Sequence, residues 1–260
     1  MHLSSDEKCY KYCKLLIKKV LFMHYKAILF DLDGTLLDTL EDLGNAANRV
    51  LEKYGFPTHT MADYRYFVGD GVVTLMNRVL PENKRDDDTV GACVQTFREE
   101  YGKSWNVKTR PYDGVPEMLD ALSTHGLKMA VLSNKPDEFT KRCVTEFLPK
   151  WNFDMVLGQS NLMPLKPDPK GALEIAKCLN VSPSHFIYLG DTAIDMKTAV
   201  AAGMYPVGAL WGFRTGKELL ENGAQAVIKR PQEILNLLNL THRNSKPSVP
   251  PPWLRREPSA

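Results

Sequence analysis

Short apolar, β-prone runs recur through the middle of the chain, at Ala27–Phe30, Met129–Leu132, Phe153–Leu157, Phe186–Leu189 and Val207–Leu210. The first is closed by a turn signal at Gly34. Each run is followed by a stretch of helical periodicity, clearest over Pro169–Leu179 and Ala193–Ala202. Unbroken apolar strands alternating with helices predict a strand buried on both faces. The fold class is therefore α/β, a doubly wound parallel sheet. One interval breaks the rhythm. From Thr39 to Tyr112 there is no good strand, only helical periodicity over Leu40–Tyr54, Val72–Leu80 and Thr89–Trp105. Residues 39–112 are thus expected to form an inserted α-helical subdomain, with 23–38 and 113–242 making the α/β unit. The insert would sit over the carboxyl ends of the strands, where doubly wound folds bind ligands.

Composition narrows this picture. A chain of 260 residues with 43% apolar and 25% charged residues is an ordinary globular sequence, which excludes a disordered, collagenous or disulfide-stapled chain. The five cysteines (Cys9, Cys13, Cys93, Cys143, Cys178) are odd in number and scattered, as expected of reduced thiols in the cytoplasm. Cys9 and Cys13 could supply half a metal site, but no second pair with zinc spacing follows. No apolar run approaches a membrane span. Residues 1–22 are lysine-rich and lack turn signals, so they are expected to be a leader outside the core, with Met23 as the natural start. The alternative is an extra helix packed on the body. Residues 243–260 are expected to be a disordered tail, because five of the 17 prolines fall there. The net charge of +2 hides an asymmetry: both ends are basic, while 23–242 holds 24 basic and 28 acidic residues. An acidic body argues against a nucleic-acid partner.

Four polar clusters stand at the ends of predicted strands. Asp31-Leu-Asp33-Gly34-Thr35 closes the first. Strand side chains alternate, so Asp31 and Asp33 are expected to leave on the same side, with Gly34 allowing a sharp turn. Two close carboxylates repel unless a cation or a shared proton relieves them, and such oxygen-rich pairs suit Mg²⁺. The plainer reading is an Asp-Gly turn beside a solvated acid. Ser133-Asn134 offers a hydroxyl and an amide. Lys166 precedes Pro-Asp-Pro, a stiff loop able to fix a positive charge toward phosphate, although loop lysines mostly face solvent. Gly190-Asp191-Thr192-Ala-Ile-Asp195 opens a helix, where Asp195 could equally be a first-turn acid favoured by the helix dipole. All four converge on one crevice at the carboxyl edge of the sheet.

In this order and spacing the four clusters resemble those of the haloacid dehalogenase (HAD) superfamily. The closer similarity is to its phosphoglycolate-phosphatase-like branch, which has a Rossmann-like core and a helical cap. The resemblance spans about residues 25–240; Ser133-Asn-Lys-Pro and Trp211-Gly-Phe-Arg214 suggest the branch only. It implies Asp31 as the nucleophile that forms an aspartyl-phosphate and Asp33 as the general acid and base. It further implies Thr35 positioning Asp33, and Mg²⁺ on the Asp31 carboxylate, the Asp33 carbonyl and Asp191. Asp195 and Thr192 would support that shell, and Ser133, Asn134 and Lys166 would bind the phosphoryl group.

Dehalogenases of the superfamily lack an acid two positions after the nucleophile, so Asp33 points to phosphorus chemistry. Sugar-phosphate mutases share both aspartates and differ mainly in the cap, which the motifs do not settle. A phospho-accepting receiver lacks both the helical insert and the Asp-x-Asp-Gly-Thr turn. A module that only binds a phosphorylated ligand has no support, because every carboxylate and the lysine are intact. The expected reaction is hydrolysis of a small phosphorylated metabolite, 2-phosphoglycolate first and pyrophosphate or another small monoester next. Within the insert, the two-glycine run Tyr66–Val72, including Gly69, is expected to face the pocket. Arg65, Arg78 or Lys135 is expected to grip a substrate carboxylate. Leu37–Leu40 and Lys108–Gly114 are expected to act as hinges. Nothing in the sequence speaks to oligomeric state.

Overall fold

The structure is a computed structural model that describes residues 25–161 and 163–238. Along the chain, β1 (Ala27–Phe30) and β2 (Leu37–Asp38) lead into four helices: α1 (Leu40–Lys53), α2 (Met61–Phe67), α3 (Val72–Val79) and α4 (Asp87–Ser104). After β3 (Arg110–Pro111) comes a regular alternation. It runs α5 (Val115–Thr124), β4 (Lys128–Pro136), α6 (Asp137–Phe147), β5 (Met155–Gln159), α7 (Lys170–Cys178), β6 (Phe186–Gly190) and α8 (Ala193–Ala202). It ends with β7 (Tyr205–Ala209), α9 (Gly216–Glu221), β8 (Ala226–Ile228) and α10 (Ile234–Leu237).

Six strands form one sheet in the order β5-β4-β1-β6-β7-β8, every pairing parallel. From β1 the chain winds outward through β4 and β5 on one side and through β6, β7 and β8 on the other. That reversal opens a crevice at the carboxyl end of β1. The unbroken hydrophobicity of β1 has a direct cause: Ile28 and Phe30 enter the cluster on one face, Ala27 and Leu29 that on the other, and all four are fully buried.

Several boundaries differ from the sequence expectation. The run predicted as Phe153–Leu157 begins its strand two residues later. Asp154 spends its polar groups on entry instead: its N–H donates to Met129 O at 2.7 Å and its carboxylate accepts the Met129 N–H at 2.9 Å. Phe153 packs edge-on against Phe30 with centroids 6.4 Å apart. The expectation of no strand between Thr39 and Tyr112 is corrected by β3, whose two residues pair antiparallel with β2. A two-residue strand containing proline has no periodicity to read; only its partner defines it. The unpredicted α2 is a seven-residue helix started by a Thr60–Asp63 capping box.

The β2–β3 ribbon lies at the two connections predicted as hinges. Beside it the buried Asp42 carboxylate accepts N–H groups from Lys108 and Thr109 and the Thr109 hydroxyl, at 2.8–3.0 Å, tying the ends of the insert together. Leu43, Ala46, Ala47, Val50 and Leu51 of α1 recur every three or four residues, as do Val90, Cys93, Val94, Phe97 and Tyr101 of α4. These apolar stripes join the cluster on one face of the sheet. Among the described residues no helix is long and apolar enough to cross a membrane. The leader 1–22 with Cys9 and Cys13, and the tail 243–260, lie outside the described residues.

Candidate active site

Asp31 follows β1 directly and remains in register, its N–H donating to Leu189 O of β6 at 2.9 Å. The chain then folds back on itself: Leu32 O accepts N–H groups from Thr35, Leu36 and Leu37. Gly34 takes a positive φ of 89°, and a Cβ there would lie 2.3 Å from Asp191 Oδ2. Only glycine permits both the turn and this approach. The turn thus exists to let the β6 end close on the β1 end.

Lys166 enters from the loop before α7 and is buried. Its Nζ donates to Asp31 Oδ1 at 2.6 Å, to Asp195 Oδ1 at 2.7 Å and to Leu132 O at 3.2 Å, so all three ammonium protons are engaged. Asp195 sits in the first turn of α8, where its Oδ2 accepts the Thr192 N–H at 3.0 Å and the Thr192 hydroxyl at 2.6 Å. One side chain thus caps the helix through Oδ2 and pairs with Lys166 through Oδ1. Asp191 accepts the Thr35 hydroxyl at 3.0 Å and the Phe213 N–H at 2.7 Å. The expectation that Thr35 positions Asp33 is therefore corrected: the turn points its hydroxyl across to β6.

Asp31, Asp191 and Asp195 are buried, and each offers an oxygen within 4.8 Å of the others. Burial pushes the Asp31 carboxyl up; Lys166 opposes this, while Asp195 and Asp191 add to it. Burial and then Asp195 push Asp191 up to about 7. For Lys166, burial works against the charge, but Asp195 and Asp31 outweigh it and hold the ammonium well above its ordinary range. Three carboxylates against one ammonium leave an uncompensated charge that a divalent cation would balance. All the donors are hard oxygens, so the residues present fit Mg²⁺.

Asp33 was expected to form a close carboxylate pair with Asp31 on the same side of the strand. Its carboxylate lies instead outside this three-acid cluster, against Lys135 at 3.0 and 3.2 Å. Lys135 is thereby corrected as a grip for substrate: its ammonium is spent on Asp33. Asp31, Asp33, Ser133, Asn134, Lys135 and Gly69 line a single cavity, whose opposite wall is Leu43, Val68, Val72, Leu75, Phe97 and Tyr101 of the helical insert. Ser133 Oγ accepts the Lys135 N–H at 3.2 Å and keeps its own proton free to donate.

Three further expectations change. The Asn134 amide is committed to backbone, donating to Gly69 O and Lys166 O and accepting the Lys166 N–H at 2.8 Å. It ties the insert to the Lys166 loop rather than presenting donors to a phosphoryl group. Arg78 pairs with Asp70 and donates to Tyr66 O and Phe67 O, and Arg65 donates to Gly212 O; neither lines the cavity. Arg78 is absorbed in holding the 66–70 segment, and Arg65 ties the insert to the loop at Gly212. The sequence reading missed Arg98, which lines the cavity, and took Trp211–Arg214 only as a mark of the branch, whereas this loop reaches both sides of the crevice. Trp211 donates to Thr35 O at 2.9 Å, and Arg214 donates to Tyr66 O and Val68 O. Arg98 is an exposed residue of α4 next to Phe97 and one turn before Tyr101; helix phase alone could have placed it beside their stripe, but not at the cavity shared with Asp33.

A doubly wound sheet with a carboxylate–lysine centre at its switch point, roofed by a helical insert, defines a class of α/β hydrolases built on an Asp-x-Asp turn. The family model described as haloacid dehalogenase-like hydrolase matches residues 28–209, and the chain belongs to that family, in its phosphoglycolate-phosphatase-like branch. It is 30% identical to a phosphoglycolate phosphatase of Aquifex aeolicus, covering 82% of this chain and 97% of that one. A phosphoglycolate phosphatase of Nitrosospira multiformis is also 30% identical, with 83% and 98% covered. Among solved structures, a candidate phosphoglycolate phosphatase from Lactobacillus delbrueckii subsp. bulgaricus superposes with a TM-score of 0.79 at 31% identity, over 83% of this chain and 99% of that one.

Proposed function

We propose that the protein is a cytoplasmic, Mg²⁺-dependent phosphomonoesterase that works through an aspartyl-phosphate on Asp31, with 2-phosphoglycolate as its first substrate. The observation that carries this reading is Lys166, buried between Asp31 and Asp195 at 2.6 and 2.7 Å and so holding the Asp31 carboxylate at the cavity floor. With Oδ1 fixed by Lys166, Oδ2 of Asp31 attacks phosphorus; the bond to the ester oxygen breaks, and the departing alkoxide takes a proton from Asp33. Water then gives its proton to the Asp33 carboxylate and attacks the same phosphorus. Inorganic phosphate leaves and Asp31 is restored. Ser133 donates a hydrogen bond to a phosphoryl oxygen, and Lys166 offsets the charge that accumulates. Asp31, Asp191 and the Asp33 carbonyl would hold Mg²⁺, whose contribution when bound is electrostatic compensation of the phosphoryl oxygens.

The side of the cavity contributed by the helical insert is apolar apart from Arg98, which suits a small substrate with one carboxylate opposite its phosphate. The test is phosphate release over a panel of small phosphate esters with and without Mg²⁺. The expected result is the highest kcat/KM for 2-phosphoglycolate, a rise in KM of about tenfold in Arg98→Met for that substrate, and no release by Asp31→Asn. Full release by Asp31→Asn overturns the mechanism; a strong preference for an ester without a carboxylate overturns the substrate.

A further inference from the structure

Asp33 does not stand free at the cavity. Both of its oxygens face Lys135 Nζ, at 3.0 and 3.2 Å, and the Lys135 side chain is only 3% exposed. Four contacts remove the freedom of this lysine. Its N–H donates to Ser133 Oγ at 3.2 Å, and its carbonyl accepts the Thr140 hydroxyl at 3.0 Å. Its ammonium lies 4.6 Å from the ring centroid of Tyr101, on α4 of the insert. Tyr101 is in turn stacked on Phe97 with centroids 5.6 Å apart and edge-packed on Phe139 at 5.1 Å. The ammonium is thus held between a carboxylate from the β1 turn and an aromatic face from the insert, a combination of ion pair and cation–π contact that strengthens where water is excluded.

We propose that Lys135 is the positioning residue for Asp33: it sets the direction of the Asp33 carboxylate, and Tyr101 sets Lys135, so Asp33 is aligned when the helical insert lies against the sheet. This rests on the phosphomonoesterase reading above and adds a residue to it. In this role Lys135 acts through Asp33, to which its ammonium is committed, rather than on the phosphoryl group or the leaving oxygen. Its influence therefore scales with how much the departing oxygen needs a proton. An alkyl ester such as 2-phosphoglycolate needs one fully, whereas 4-nitrophenyl phosphate releases a stable phenolate and needs little.

The experiment compares kcat/KM, which reports steps through loss of the leaving group, for both esters in Lys135→Met, Lys135→Arg and Tyr101→Leu. Lys135→Met is expected to lose about 100-fold on 2-phosphoglycolate and less than about 5-fold on 4-nitrophenyl phosphate, the span that a displaced general acid commands. Lys135→Arg recovers part of the alkyl-ester loss, and Tyr101→Leu shows the same selective loss to a smaller degree. In an Asp33→Asn background, Lys135→Met adds nothing. Equal losses on the two esters, or additive losses with Asp33→Asn, overturn the proposal. If Lys135→Met does not fold, the ester ratio in Lys135→Arg and Tyr101→Leu decides: an unchanged ratio in both overturns it. Failure of the wild type to cleave either ester removes the phosphomonoesterase reading instead, a distinct result.

Discussion

Replacing Lys166 by Met keeps the length of the buried stem and deletes its charge. The ammonium makes two ion pairs, at 2.6 Å to Asp31 and 2.7 Å to Asp195. At an effective dielectric of about 20 each has a gross attraction of roughly 6 kcal/mol, set against a desolvation penalty of several kcal/mol per ion. Removing the whole network would nearly cancel. Removing only the cation does not, because Asp31, Asp191 and Asp195 stay buried and lose their counter-charge. Breaking one side of a buried pair costs about 3–5 kcal/mol. For a protein of this size that lowers Tm by about 6–20 °C. The loss should be larger in chelator at pH 8, where Asp191 is ionised, than at pH 5, where Asp191 takes up a proton because its carboxyl is held at about 7. Mg²⁺ should restore part of the stability, while phosphate release stays low because Asp31, the proposed nucleophile, is no longer held. Thermal unfolding of wild type and Lys166→Met at both pH values, with and without Mg²⁺, measures all of this. A Tm change under about 2 °C at pH 8 in chelator, or a loss that does not depend on pH, refutes the reasoning.

Two further outcomes follow from the same geometry. In metal-free wild type, burial and Asp195 raise Asp191 from 3.8 to about 7, so the folded state keeps a proton that the unfolded chain releases across that window. Stability therefore falls as pH rises from about 4 to about 7, by at most about 4 kcal/mol, and Asp191→Asn should make the Tm–pH profile shallower; an unchanged profile sinks the assignment. Gly34→Ala places a Cβ 2.3 Å from Asp191 Oδ2 on a backbone with φ of 89°, and should lower stability by about 2–3 kcal/mol and weaken Mg²⁺ binding measured by calorimetry; wild-type values for both would show that the turn tolerates a side chain.

The division between what was legible in the sequence and what was not follows the range of the interactions. Strand and helix periodicities are local properties, so Ala27–Phe30, Ala193–Ala202 and the long helical interval after the first strand can be read from spacing alone. The Asp-x-Asp-Gly-Thr turn, the lysine before Pro-Asp-Pro and the Gly-Asp-Thr-x-x-Asp helix start are local as well. The doubly wound order of strands then requires their ends to meet, which is why Asp31, Lys166, Asp191 and Asp195 share one site. Partner choice within that site is another matter. Asp33 and Lys135 are separated by 102 positions, and Thr35 and Asp191 by 156. No spacing rule chooses between Asp31, Asp33 and Asp191 as the acceptor for a given donor. Packing decided that Lys135 faces Asp33 and Tyr101, that the Asn134 amide is consumed by Gly69 and Lys166, and that Arg65 and Arg78 brace the insert while Arg98 reaches the cavity. A charged side chain carries no local mark of its partner; its lowest free energy is set by which opposite charge and which apolar wall the folded chain brings beside it.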